Sequence, residues 1–83
     1  MNTLLEQFET QEQALSNQIR AAVLSKIHSS NTSNKQLADK LGWLPFSSQR
    51  LLERSIWPLD TAIYVASVLG LEISLNIRDS KNF

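Results

Sequence analysis

The side chains best equipped for chemistry in this chain of 83 residues lie close together: Ser47, Ser48, Gln49 and Arg50, with Arg54 shortly after them. None of them is a nucleophile with a base beside it. The chain has no cysteine, a single histidine (His28), no glycine-rich phosphate loop and no metal-ligand spacing. Asp39, Glu53, Asp60 and Glu72 fall on different predicted elements, so no paired acid and base is expected. The expectation is a non-enzyme with no cofactor and no metal. What the cluster offers is hydrogen bonding in fixed geometry. A glutamine such as Gln49 presents a donor and an acceptor that match the edge of adenine, and an arginine such as Arg50 makes a two-pronged contact to guanine. The hydroxyls of Ser47 and Ser48 suit bases or phosphates. A second polar group, Ser33, Asn34 and Lys35, opens a predicted helix, where free N–H groups and a cation favour a phosphate. Arg54 is a further phosphate candidate.

These groups need rigid elements to aim them. Thr3-x-x-Glu6 and Thr10-x-x-Gln13 both fit a capping box, so a first helix can start at either. Leu4, Leu5 and Phe8, then Leu15, Ile19, Ala22, Val23 and Ile27, follow helical spacing. That predicts a helix over 4–28, with a break near Thr10 left open. The run 29–34 is a polar turn. Ser33-x-x-Gln36 is another capping box and predicts a helix from Asn34 to Leu41, stopped by Gly42. Pro45 suits the first turn of a third helix reaching about Arg54. Its expected apolar side is Leu44, Ser48, Leu51 and Leu52; its polar side is Ser47, Gln49, Arg50, Glu53 and Arg54. Pro58 opens a fourth helix with Leu59, Ala62, Ile63, Ala66 and Leu69 inward, closed by Gly70. Trp43 and Trp57 are expected to pack around the turns, and Phe46 to lie in the core or an interface.

Residues 71–78 then alternate without a fault. Leu71, Ile73, Leu75 and Ile77 fall on one face of a strand, and Glu72, Ser74, Asn76 and Arg78 on the other. No other stretch reads as a strand, so its backbone groups need a partner from a second copy. Burial of the four aliphatic side chains is worth roughly 6–12 kcal/mol at most, whether the strand pairs or folds back on its own helices.

Length and composition allow one domain over 1–83 and no disulfide staple. A chain this small often gains stability by oligomerising. No run is apolar enough for a membrane span, and the acidic start is unlike a signal peptide, so a soluble cytoplasmic protein is expected. The formal net charge is zero, which argues mildly against nucleic acid. The charges are segregated, however. Glu6, Glu9 and Glu12 precede the first base. From Arg20 to Arg54, six basic residues (Arg20, Lys26, Lys35, Lys40, Arg50, Arg54) face only Asp39 and Glu53.

Two short helices joined through a glycine turn make a helix-turn-helix over 33–54. The stretch Ser33-Asn34-Lys35-Gln36-Leu37-Ala38-Asp39-Lys40-Leu41-Gly42 resembles the Cro and lambda-repressor (XRE) family motif through Leu37, Ala38, Leu41 and Gly42. Asn34 stands where that family has a phosphate-contacting glutamine. Leu52-Glu53-Arg54 is similar to the family's Ile-Glu-Arg. One residue is extra in the turn around Trp43, Leu44 and Pro45, and one register turns Gln49 inward. The segment from Trp57 to Asn82 resembles the last helix and strand of HipB-type antitoxins, in which that strand pairs across a dimer.

The resemblance implies a mostly α fold: a four- to five-helix lambda-repressor-like domain with one C-terminal β-strand pairing across a homodimer. Residues 1–11 would be an N-terminal extension. It implies a DNA-binding transcription regulator, a repressor on a palindromic operator, with Ser33, Asn34, Lys35, Ser47, Ser48, Gln49, Arg50 and Arg54 at double-stranded DNA. Leu71, Ile73, Leu75 and Ile77 would hold the dimer. Two alternatives stay open: an antitoxin that also binds a toxin protein, and a dimeric adaptor that uses the same surface for protein contacts.

Overall fold

A computed structural model of the chain describes residues 3–74. Among them are four helices: α1 (Thr3–Ser29), α2 (Asn34–Leu41), α3 (Pro45–Glu53) and α4 (Leu59–Val68). The fold is mostly α, as the pattern predicts. α1 packs along α4, α2 packs on α3, and α2 also touches α4.

Local chemistry sets most boundaries. α1 runs through Thr10 without a break. No glycine or proline interrupts it, and the Thr10 hydroxyl donates back to the Glu6 carbonyl at 2.9 Å, the habit of a threonine inside a helix. The capping box there is therefore inert. α1 ends where Asn31 takes a left-handed turn (φ 53°), with Thr32 N–H donating to the Ile27 carbonyl. The capping box of α2 is complete: Gln36 N–H donates to Ser33 Oγ (3.1 Å), and Ser33 N–H to Gln36 Oε1 (2.9 Å). Gly42, at φ 75°, closes α2 by donating to the Asp39 carbonyl while Trp43 N–H reaches Ala38. Gly70 (φ 79°) and Leu71 repeat that pair on α4, reaching Ser67 and Ala66.

One core serves all four helices. Ile19 and Val23 of α1 meet Leu37 and Leu41 of α2, Leu51 of α3, Trp57, and Ala62, Val65 and Ala66 of α4. Trp57 is fully buried and wired on three sides. Its Nε1 donates to the Leu51 carbonyl (2.9 Å), its own carbonyl accepts from Ser16 Oγ (2.7 Å), and the Arg20 guanidinium lies 5.8 Å from its ring centre. Arg20 Nε also donates to the Arg54 carbonyl (3.1 Å), so α1 holds the end of α3. Trp43 packs on the Tyr64 ring, and the Tyr64 hydroxyl donates to the Leu41 carbonyl at 2.8 Å. Both tryptophans thus fix the turns, as expected.

Several expected core positions are corrected. Leu44 is 73% exposed because it precedes α3 as its N-cap in extended backbone, so the helical stripe does not extend to it. Ile63 faces outward and Val65 takes its place, since Ala62, Val65, Ala66 and Leu69 form the α4 stripe. Ala22 is exposed. Phe46, 67% exposed, is not in the core of its own chain.

Residues 71–74 leave Gly70 without forming a strand within the single chain. Leu71 packs against the core; Ile73 is more open. Leu75 and Ile77, the rest of the expected pairing face, lie outside the described residues.

Candidate nucleic-acid interface

The joint between α2 and α3 is a polar clamp. Asn34, in the first turn of α2, donates from Nδ2 to the Pro45 carbonyl (2.9 Å) and accepts at Oδ1 from Ser48 Oγ (2.6 Å). Ser48 is fully buried, one turn into α3. A buried hydroxyl needs a partner, and Asn34 supplies it across the joint. The two helix N-termini are thereby fastened together.

This geometry sorts the residues expected at DNA. Ser48 cannot touch a ligand, because its side chain has no exposed surface; it is removed from the site. The Asn34 side chain is half-buried and committed to the clamp, so its amide is a brace between helices. Ser33 is exposed, with its Oγ already accepting the α2 cap bond. Lys35, Ser47, Gln49, Arg50 and Arg54 are all exposed. The register that buries Ser48 and Leu51 settles Gln49 on the outer face of α3.

That outer face carries Phe46, Gln49, Arg50 and Glu53, which share one side at helical spacing. The Arg50 guanidinium sits 5.5 Å from the Phe46 ring centre, and Gln49 Nε2 donates to Glu53 Oε1 at 3.3 Å. Both pairs are four residues apart and lie along the helix. The 5.5 Å separation is within cation–π range. Phe46 and Glu53 were not among the expected site residues; the four-residue spacing to Arg50 and Gln49 was the signal that could have found them. Beside this face an open groove runs between α3 and the start of α4, bordered by Ser47, Arg50, Glu53, Arg54, Pro58 and Thr61.

Among the described residues no group of acidic, histidine or cysteine side chains could hold a metal ion, and every buried side-chain nitrogen and oxygen has a hydrogen-bond partner. Among the described residues no helix is long and apolar enough to cross a membrane. No family model, curated protein or solved structure matches the chain.

Proposed function

We propose that this chain is a sequence-specific DNA-binding regulator that occupies a palindromic operator as a homodimer and represses from it. One observation carries the reading: the Asn34 clamp fixes α3 against α2 so that Gln49 and Arg50 project from the outer face of a short, exposed helix. A helix held in this way fits the major groove, where Arg50 matches guanine and Gln49 matches adenine. Ser47 lies at the helix start within reach of the same strand. Lys35 at the head of α2 and Arg54 at the end of α3 supply phosphate contacts. Two-fold symmetry would set two such helices about one DNA turn apart, ~34 Å. Pairing through 71–78 would fix that spacing.

Selection from a random duplex library, followed by a salt series on the enriched site, tests the reading. A two-fold symmetric site should emerge. With Lys35 and Arg54 of each subunit on phosphates, about four contacts give a log–log salt slope of about −4. Failure to retain any duplex at low salt would reject it.

A second reading has its own support. Leu44, Phe46 and Ile56 are each more than half exposed in and around α3. Apolar surface of that kind suits a protein partner. An adaptor with this fold would bind no duplex, yet would lose a partner protein on substitution of Phe46.

A further inference from the structure

The core of the chain makes no use of Phe46. Its side chain is 67% exposed and belongs neither to the core cluster nor to the partly buried residues around it. Its backbone is nevertheless held firmly. The carbonyl of the peptide bond that joins Pro45 to Phe46 accepts from Asn34 Nδ2 at 2.9 Å, and the Pro45 ring locks the torsion just before it. The clamp that docks α3 on α2 thereby also fixes the direction in which the Phe46 side chain leaves the helix. Phe46 sits in the first turn of α3, on the face it shares with Gln49 and Arg50. In a helix lying in the major groove, the residues near the N-terminus are the ones that reach base edges. The ring centre lies 5.5 Å from the Arg50 guanidinium. That distance falls between one and two base-pair steps of about 3.4 Å.

We propose that Phe46 is a specificity-determining residue that reads the 5-methyl group of a thymine within two base pairs of the guanine held by Arg50. The proposal rests on the DNA-binding reading above and names what that site selects. The chemistry of the groove picks the occupant. The major-groove edges of guanine, adenine and cytosine offer hydrogen-bond donors and acceptors; thymine alone adds an apolar group, its methyl. A phenyl ring makes no conventional hydrogen bond, so the methyl is the edge feature it complements. The ring has only two side-chain torsions, so little rotamer freedom is lost on contact. A broad apolar protein surface is a poorer match. Gln49, Arg50 and Glu53 share the outer face with the ring, and all three are polar. Of the other exposed apolar residues nearby, Leu44 precedes the helix in extended backbone and Ile56 lies beyond its opposite end. One ring on a polar face suits one methyl. Arg50 then reads guanine with two donors, Gln49 reads adenine with a donor and an acceptor, and Phe46 reads thymine by its methyl.

Deoxyuridine tests this without touching the protein, since its base differs from thymine only by the missing methyl. The guanine read by Arg50 is first located in the selected duplex, as the G·C pair whose preference relaxes in Arg50→Ala. Each thymine within two base pairs of it, on either strand, is then replaced by deoxyuridine, one at a time. Dissociation constants are measured for the parent and for Phe46→Ala. For the parent, one replacement should weaken binding about fourfold, the worth of one buried group of methyl size. Phe46→Ala should bind the thymine duplex more weakly and be indifferent to that replacement. Its melting temperature should not fall, because the ring lies outside the core. Four results overturn the proposal: no G·C pair that depends on Arg50, no thymine in that window, a parent indifferent to every replacement, or a Phe46→Ala variant that keeps the fourfold preference. Any of them on a duplex that is still bound removes this inference alone and leaves the DNA reading standing. Retention of no duplex removes both and leaves the ring to a protein partner.

Discussion

Asn34→Ala tests whether this residue braces two helices or grips a phosphate. The substitution removes two neutral hydrogen bonds, Nδ2 to the Pro45 carbonyl at 2.9 Å and Ser48 Oγ to Oδ1 at 2.6 Å. At about 1 kcal/mol each, the gross loss is about 2 kcal/mol. Part of it returns. Ser48 Oγ already lies 3.1 Å from the Pro45 carbonyl, so the freed hydroxyl turns to the acceptor that lost the amide. One bond replaces two, and the net cost falls to about 1 kcal/mol. For a domain of this size that is about 4–8 °C in melting temperature. Ser48→Ala should cost a similar amount. The double variant has no hydroxyl left to turn to the Pro45 carbonyl, so it should lose both bonds and cost about 2 kcal/mol.

Urea unfolding at one fixed protein concentration measures all four proteins, since a dimer's apparent stability depends on concentration. A double variant no less stable than either single, or an Asn34→Ala variant as stable as the parent, would refute the clamp. A phosphate ligand behaves in the opposite way. Its removal lowers DNA affinity and reduces the salt slope by about one, with stability untouched. The clamp predicts a fall in stability with the salt slope retained.

Arg50→Ala should weaken binding to the selected site by about 1–3 kcal/mol, roughly fivefold to 150-fold, with no change in melting; equal affinity would remove Arg50 from the interface. Trp57→Phe keeps a ring in the core but takes the donor from the Leu51 carbonyl, so unfolding should show a loss of about 2 kcal/mol, and a neutral result would show that bond to be dispensable. Gly42→Ala meets no atom within 4 Å of its new Cβ, so its cost should be conformational alone, about 1 kcal/mol at φ 75°; a much larger loss in thermal melts would mean that a contact is involved as well.

What could be read in advance follows the range of the interactions. The ends of α2 rest on Ser33, Gln36 and Gly42, all within a few residues of what they cap, and the spacing alone found them. Pro45 and Gly70 marked the start of α3 and the end of α4 for the same reason. The clamp was not legible, since Asn34 and Ser48 are 14 residues apart and their partnership needs the two helices already docked. Ser16 and the Trp57 carbonyl, 41 residues apart, are the same case. The resemblance assigned Asn34 a phosphate because it reports the position and not the shorter side chain, which reaches the neighbouring helix. Leu44 misled because an apolar residue before a proline continues the stripe on paper, while its extended backbone points it to solvent.

The neutral composition weighs less against a DNA partner once charge is placed on the fold. The stretch from Arg20 to Arg54 has a surplus of four positive charges, and it includes the whole of α2 and α3. The balancing acids Glu6, Glu9 and Glu12 sit on the exposed first half of α1, ahead of Ser16 and the first core contacts. Screening over a Debye length of about 8 Å at physiological salt separates two such regions electrically if they lie farther apart than that. The net charge of zero is thus a sum of local surpluses: three negative charges before Arg20, four positive from Arg20 to Arg54, and one negative over 55–83.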